Sequence, residues 1–385
     1  MTLRAVPSKV EVLIVGAGPA GSTLAYELAR LGRQVLLIEK SKFPRRKTCG
    51  GGLNLRTLRL LPFDLGPITE REIRGIFFSR NLDNSFLRRS PDPFMITVSR
   101  DRLDQFLVNQ AEKQGASFLD DTQFLSFSPQ NDSLEVETSS GIIRTKFIVG
   151  ADGASSAVAK KSEIPLKTSH ILAIHSEVPV SLLPAQEPDV IQIDWGSLQR
   201  GYAYLFPKDR HLSMGAGGYG LTSHQIKNYQ RAFWAANWQR EESPPFSTAG
   251  FFLPLRRGRS PIHKGRCLLL GDAAGLVDPF SGEGIYSAVR SAQIAAPFLA
   301  DFLKDRFESL QPYQDEIDRR LMPELECSRL FREFFTRWPS LFHRRVQTRD
   351  RWWNAMVKIL RGEKSNLDLK EKLGILGDLL LRLAR

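Results

Sequence analysis

The first forty residues constrain this chain most. An apolar run, Val12-Leu13-Ile14-Val15, leads into Gly16-Ala17-Gly18-Pro19-Ala20-Gly21, then into a helix-forming stretch stopped by Gly32, then into Gln34-Val35-Leu36-Leu37-Ile38-Glu39. Strand, glycine turn, helix and a second strand closed by an acid are the order of a dinucleotide fingerprint. Each glycine has its own task. Gly16 makes the tight turn, Gly18 lets backbone approach a pyrophosphate, and Gly21 lets the helix pack on the strand. Pro19 and Ala20 stand at the helix N-terminus, where free N–H groups and the positive dipole end meet that pyrophosphate. Glu39, followed by Lys40, is placed to hydrogen-bond the adenosine ribose and to repel a 2′-phosphate.

Length and composition bound what else the chain holds. Its 385 residues suffice for two or three domains with a large core. No apolar run reaches about 18 residues, so no transmembrane helix is expected. The first strand begins too close to Met1 to leave room for a signal peptide. Cys49, Cys267 and Cys327 are scattered, forming neither a disulfide framework nor a metal site. With no histidine pair at ligand spacing either, no metal is expected and a reducing, cytoplasmic compartment fits. The net charge of +12 is uneven: Arg329 to Arg385 carries fourteen Lys and Arg against six Asp and Glu. No nucleic-acid motif accompanies this basic segment, so nucleic acid is not the expected partner.

Further along, the basic lead Lys42-Phe43-Pro44-Arg45-Arg46-Lys47 runs into Thr48-Cys49-Gly50-Gly51-Gly52. Three glycines in a row suit backbone lying flat against a ligand ring, or a flexible loop. Alternation from about Ile73 to Thr97 reads as antiparallel strands, and a helix begins at Ser99-Arg100 and runs to Gly115. A meander then closes on Phe147-Ile148-Val149-Gly150-Ala151-Asp152-Gly153. The block from about Leu166 to Leu255 is β-rich. Within it, Gly215-Ala216-Gly217-Gly218-Tyr219-Gly220 also fits a GxGxxG pattern. The helix after it leads to Glu241-Glu242-Ser243-Pro244-Pro245 rather than to a strand ending in an acid, so a sheet bending near a ligand or a packed helix is expected there. The chain returns to a core strand at Cys267-Leu268-Leu269-Leu270, then Gly271-Asp272, then Gly282-Glu283-Gly284-Ile285 at the head of a helix. The remainder reads as helical.

With the fingerprint, Gly150-Ala151-Asp152-Gly153 and Gly271-Asp272 in this order, the chain resembles the p-hydroxybenzoate hydroxylase-like flavoproteins, and among them the geranylgeranyl reductases. The resemblance implies an α/β fold in three parts. Residues 1–75, 98–165 and 258–300 would form a Rossmann-like FAD-binding domain. Residues 76–97 and 166–257 would form an antiparallel β-sheet substrate domain, and 301–385 a helical C-terminal region. It also implies roles. Asp152 and Gly153 lie beside the FAD phosphates, Arg100 approaches the phosphate and ribityl region, and Asp272 binds the ribityl hydroxyls. Gly282, Gly284 and Ile285 offer backbone to the isoalloxazine, and Cys49-Gly50-Gly51-Gly52 faces it. The reductases' Tyr-x-Trp-x-Phe signature followed by Gly-x-Gly is matched by Tyr202, Tyr204 and Phe206 with Gly215 and Gly217, tyrosine standing for tryptophan. Further departures are Ala159, where many relatives carry arginine, and Ala292, where glycine is common. Hydroxylases of the group usually carry histidine where this chain has Gly275.

The activity so implied is saturation of C=C bonds in a prenyl chain, by hydride from reduced flavin and a proton from elsewhere. Tyr202, Tyr204 and Phe206 would wall a greasy substrate. A tyrosine hydroxyl, a water or the Cys49 thiol could supply the proton. NADPH or another reductant would feed the FAD. The rivals are a flavin monooxygenase or halogenase, and, outside enzymes, a prenyl-lipid carrier without need of a flavin site. In the tail, Phe334-Phe335, Trp338, Leu341-Phe342 and Trp352-Trp353 interleave with Arg332, Arg337, Arg344, Arg345 and Arg351. That pattern describes either a helix lying in a membrane interface or helices capping the substrate domain. Leu360-Arg361-Gly362-Glu363-Lys364-Ser365, with Leu367-Asp368-Leu369, extends the reductase resemblance weakly to the C-terminal end.

Overall fold

The computed structural model describes residues 7–182, 187–196, 198, 200–238, 248–304, 306 and 309–368. The fingerprint folds as β1 (Lys9–Val15), α1 (Pro19–Arg30) and β2 (Val35–Ile38). Val12, Leu13 and Ile14 of β1 and Leu36, Leu37 and Ile38 of β2 are fully buried, as strands covered on both faces must be. The first sheet has the order β17 (His263–Lys264), β18 (Cys267–Leu269), β11 (Gly141–Gly150), β1, β2, β8 (Ser117–Leu119). Its core pairs β18–β11, β11–β1, β1–β2 and β2–β8 are parallel. The early half of β11 pairs instead with the antiparallel meander β9 (Phe124–Gln130) and β10 (Ser133–Thr138). Helix α1 packs against α3 (Arg100–Lys113) and α6 (Ile285–Phe302), so the fingerprint helix is held by later parts of the chain.

The second sheet has the order β16 (Ala249–Arg256), β12 (Thr168–Pro179), β15 (His211–Tyr219), β14 (Gly201–Pro207), β13 (Val190–Trp195), β5 (Gly75–Arg80), β6 (Asp83–Arg89). All its pairs are antiparallel except β13–β5. Helix α5 (Ser223–Trp238) buries Ile226, Phe233 and Trp234 on one face of it, against Ala203, Leu205, Met214 and Ala216. Alternation then sends Tyr202, Tyr204 and Phe206 to the other face. The second glycine pattern lies inside this sheet. Residues 215–219 belong to β15, extended between two antiparallel neighbours, and make no dinucleotide turn. The stretch 241–245 and Leu369 lie outside the described residues.

A three-stranded sheet, β3 (Gly52–Asn54), β7 (Met95–Thr97) and β4 (Arg71–Ile73), joins the two larger ones. Two short helices, α2 (Leu55–Leu58) and α4 (Ala157–Lys161), follow β3 and β11.

The tail forms α7 (Gln311–Arg320), α8 (Met322–Arg337), α9 (Pro339–Thr348) and α10 (Asp350–Leu360). A buried ion pair, Arg256 to Asp318 at 2.7 Å, ties α7 to β16. Most tail aromatics turn inward. Trp353 is buried and donates to the Arg89 carbonyl at 3.1 Å, while Phe335 and Phe342 pack on Trp195 of β13. These helices therefore cap the second sheet; Arg337, Leu341, Arg344, Arg345 and Arg351 remain exposed. No helix among the described residues is long and apolar enough to cross a membrane.

Candidate active site

Two of the fingerprint glycines are fixed by contact. Gly16 has φ +102°, and a Cβ on it would lie 2.4 Å from the Ala151 carbonyl oxygen; on Gly21 it would lie 2.0 Å from that of Gly16. The Gly150-Ala151-Asp152-Gly153 segment thus presses directly on the fingerprint turn. Gly18 is different. It precedes Pro19 as the N-cap of α1, and a Cβ there would meet only Arg100 Nη2 at 3.9 Å and Arg45 Nη2 at 4.0 Å. The space before the helix N-terminus is faced by two guanidiniums. Asp104, fully buried, holds both: Arg100 Nε and Nη2 at 3.0 and 2.9 Å, and Arg45 Nη1 at 2.9 Å. Glu39 is buried at the end of β2, where it accepts the Ala17 and Ser41 N–H groups at 3.1 and 3.3 Å and pairs with Arg45 Nε at 3.2 Å. Lys40, beside it, is exposed.

Asp152 accepts the Ala157 and Val158 N–H groups at 2.6 and 3.2 Å, capping α4, and its Oδ1 is buried without a partner. Burial pushes this carboxyl up, against its hydrogen bonds. Gly153 follows with φ +78° and open space where a side chain would be. Gly271 (φ +51°) is wedged between α1 and α6, its N–H bonded to Ser291 Oγ at 3.1 Å. Asp272 then lies at the head of α6: a Cβ on the N-cap Gly284 would come within 2.8 Å of its Oδ1. Burial raises the Asp272 pKa, while Lys47 and Arg100 pull it back. Ile285 opens α6, and Gly282 (φ +68°) turns the loop beneath Leu253. Gly275 needs its missing side chain as well, because at φ +71° a Cβ would press on the Arg256 backbone nitrogen at 2.9 Å.

The outward face of β14 closes the site. A Cβ on Gly50 would meet the Tyr204 ring at 2.9 Å and one on Gly52 the Phe206 ring at 2.8 Å. The glycine loop thus lies flat against the protein's own aromatic rings. Gly51 (φ +70°) faces Lys208 Nζ, and its N–H reaches Cys49 Sγ at 3.4 Å. Tyr202 donates to the Ser281 carbonyl, linking the aromatic strand to the loop before α6. Gly215 leaves room for the Tyr204 ring, and Gly217 for Ala173 of β12. Tyr204 OH meets His175 Nδ1 at 3.1 Å.

The expected site residues therefore gather where the carboxyl ends of the parallel strands meet the aromatic face of the second sheet. A family model described as FAD binding domain matches residues 9–323. The chain belongs to this FAD-binding flavoprotein family. It is 29% identical over 74% of its length to 74% of a geranylgeranyl diphosphate reductase from Synechocystis. It is 28% identical over 81% to 83% of a digeranylgeranylglycerophospholipid reductase from Methanosphaera stadtmanae. Two solved structures share its fold. One, from Thermoplasma acidophilum, is described as geranylgeranyl bacteriochlorophyll reductase-like (TM-score 0.73, 22% identity, 86% of this chain and 88% of that one). The other is a flavin-dependent brominase (TM-score 0.73, 18% identity, 92% and 94%). The fold is thus that of the p-hydroxybenzoate hydroxylase-like flavoproteins.

The residues present fit FAD. The open Gly18 with two guanidiniums suits a pyrophosphate, the Glu39 carboxylate suits a ribose, and the buried Asp272 suits a polyol chain. Several contributors were not singled out from sequence. Asp104 was legible in principle, four residues after Arg100 on a helix. Arg45 sits in a loop without periodicity. His175 is 29 residues from Tyr204 and meets it only through strand order. Glu283, noted only as part of a motif, anchors the α6 loop through Asn54, Thr57 and Arg56 at 2.9, 3.0 and 3.3 Å.

Proposed function

We propose that this flavoprotein saturates C=C bonds of a prenyl chain. FAD, when bound and reduced, supplies the hydride; NADPH or another reductant is the proposed source of its electrons. The protein's part is orientation and the exclusion of water. Gly18, Arg45, Arg100 and Glu39 hold the adenine-dinucleotide end, while Asp152 and Gly153 support it from below. Asp272, Gly282, Gly284 and Ile285 hold the ribityl and ring end. Cys49 to Gly52, packed against Tyr204 and Phe206, would bound the place of the ring.

One observation carries the reading: the sheet face toward these cofactor residues is aromatic, with Tyr202, Tyr204 and Phe206 in ring contact along β14. Tyr202 and Phe206 belong to the same apolar cluster as Phe335, Phe342, Trp352 and Met356 of the C-terminal helices. An isoprenoid offers no hydrogen bonds, so such a wall binds it by area alone. The names of the two reductase relatives support the same substrate class. The exposed Arg337, Arg344, Arg345 and Arg351 with Leu341 are proposed to rest on an anionic membrane, from which a prenyl lipid would enter.

The test is an anaerobic incubation of purified protein, its flavin reduced by dithionite, with geranylgeranyl diphosphate and with a geranylgeranylated glycerophospholipid. Mass spectrometry should show products heavier by two hydrogens per step. Yellow, reducible protein that changes neither substrate would end the proposal. Protein that binds prenyl lipid but no flavin would establish the carrier instead.

A further inference from the structure

Saturating a C=C bond consumes one hydride and one proton, and the proton has to be led into an apolar cleft. The aromatic face of the second sheet carries one line of polar groups. Tyr204 on β14, Gly215 on β15 and His175 on β12 are register partners across three adjacent strands. Because Gly215 has no side chain, the tyrosine lies across it; a Cβ there would sit 2.4 Å from the Tyr204 hydroxyl. The hydroxyl so reaches His175 Nδ1, at 3.1 Å. Behind it, Glu177 Oε1 is 3.9 Å from His175 Nε2 and 3.5 Å from His211 Nε2. His175 is 5% exposed and the Glu177 side chain 45%, so the line runs from the cleft to solvent. His175 Nε2, His211 Nε2 and the Ser213 hydroxyl on the same face are buried without hydrogen-bond partners. Three unsatisfied polar atoms cost stability on a face that could have been wholly apolar. They are the stations that a wire of side chains and water needs.

We propose that Tyr204 donates the proton of the saturation step and that His175, with Glu177 and His211 behind it, resupplies that proton from solvent. This rests on the reductase reading above. As hydride reaches one alkene carbon, the Tyr204 O–H bond breaks and a C–H bond forms at the neighbouring carbon. As His175 passes its Nδ1 proton to the phenolate oxygen, Nε2 takes a proton from water beside Glu177, so the ring stays neutral and ends as the other tautomer. Exchange with water then returns a proton to Nδ1 before the next bond is saturated. Each double bond gains one hydride, from reduced flavin, and one solvent proton, so atoms and charge balance.

The surroundings suit these roles. Burial holds the Tyr204 pKa well above its usual value, helped by Cys49 and Tyr202, so the hydroxyl rests protonated. Glu177 is held down at about 2 by His175 above all, with His211 and Lys208 assisting, so it stays a carboxylate at the outer end of the line. Burial and Lys208 lower the His211 pKa, while Glu177 and Glu70 raise it.

The experiment uses pre-reduced holoprotein and geranylgeranyl diphosphate in anaerobic single turnovers of wild type, Tyr204→Phe, His175→Gln and Glu177→Gln. Tyr204→Phe should slow saturation by about 10²-fold or more, with flavin absorbance unchanged and melting lowered only slightly, as His175 Nδ1 loses its partner. His175→Gln should slow it roughly tenfold and enlarge the solvent deuterium effect. A second readout needs no turnover. In protein with 15N-labelled histidine, the His175 signal, assigned by its loss in His175→Gln, should shift both in Tyr204→Phe and in Glu177→Gln. Saturation by Tyr204→Phe at the wild-type rate overturns the donor role. A His175 signal indifferent to both neighbours overturns the relay. Wild-type protein that saturates nothing instead removes the reductase reading, and the donor role with it.

Discussion

The two sides of the cleft are built on different rules. The nucleotide side is specified by absence: Gly16 and Gly21 admit no atom beyond Cα, and their neighbours are backbone oxygens that cannot yield. The aromatic side is specified by bulk, with Tyr202, Tyr204 and Phe206 alternating on one strand and closed over by rings from the C-terminal helices. Backbone against backbone tolerates no substitution, whereas ring against ring can repack. A pyrophosphate has one shape to recognise and the prenyl chain proposed above has many, so rigidity belongs on one side and adaptable area on the other.

Alanine at Gly21 breaks the rigid side outright. Its methyl would overlap the Gly16 carbonyl, and the expected loss is at least about 3 kcal/mol, visible as colourless protein with a lowered melting temperature. Alanine at Gly18 makes the contrast within the same motif. Its φ of −82° suits any residue, and the gain in unfolded-state entropy offsets the poorer N-cap, so stability should stay within about 1 kcal/mol. FAD affinity should nonetheless fall roughly tenfold, about 1.4 kcal/mol, because the methyl occupies the approach to Arg45 and Arg100. Equal flavin affinity by titration would mean that this opening is not the pyrophosphate site.

Asp104→Asn probes the charge that sets the nucleotide side. Without the carboxylate, two largely buried guanidiniums lose their common partner, and urea unfolding should report a loss of about 3 kcal/mol. Asp272→Asn should act oppositely on the protein alone. Burial disfavours this carboxylate, so the amide removes a cost and leaves the flavin-free fold as stable or about 1 kcal/mol more so, while FAD binding weakens. A flavin-free Asp272→Asn protein that melts lower than wild type would show that the carboxylate supports the fold itself.

How much of this was legible in the sequence follows the same division. The nucleotide side is local: strand, turn, helix and acid are contiguous, so residues 12–39 announce both their fold and their ligand class. Asp272 and Gly284, twelve residues apart, could be placed by resemblance, and the structure shows why glycine is needed there. The aromatic side is assembled by strand order. Periodicity marks Tyr202, Tyr204 and Phe206 as one face but cannot say that β12 lies two strands away and brings His175 to Tyr204. The tail shows the limit from the other direction. Its aromatic and basic pattern fits a membrane helix and a capping helix alike, and only the position of Trp195 and Arg89 reveals that Trp353, Phe335 and Phe342 point inward.

The smallest effect separates the two sides by acid. Glu177, on the aromatic side, has its carboxyl held at about 2 through His175 first, with His211 and Lys208 adding attraction against the cost of burial. A depressed carboxyl contributes stability above its unfolded value near 4.5, and that contribution is lost as pH falls toward 2. On the nucleotide side Asp152, Asp272 and Glu283 are shifted upward, chiefly by burial, so their folded forms bind protons more tightly and acid favours them. The two sides therefore pull in opposite directions between pH 5 and 2 (roughly), and the net acid limb is their difference. Glu177→Gln should remove only the destabilising half. Because the Glu177 side chain is nearly half exposed, solvent screening limits the change to roughly 0.5 kcal/mol, smaller still in high salt. Urea unfolding of both proteins at pH 7, 4 and 2.5 should give curves that converge as the pH falls. Parallel curves would mean that Glu177 feels no histidine charge, and the polar line across the aromatic face would lose its outer end.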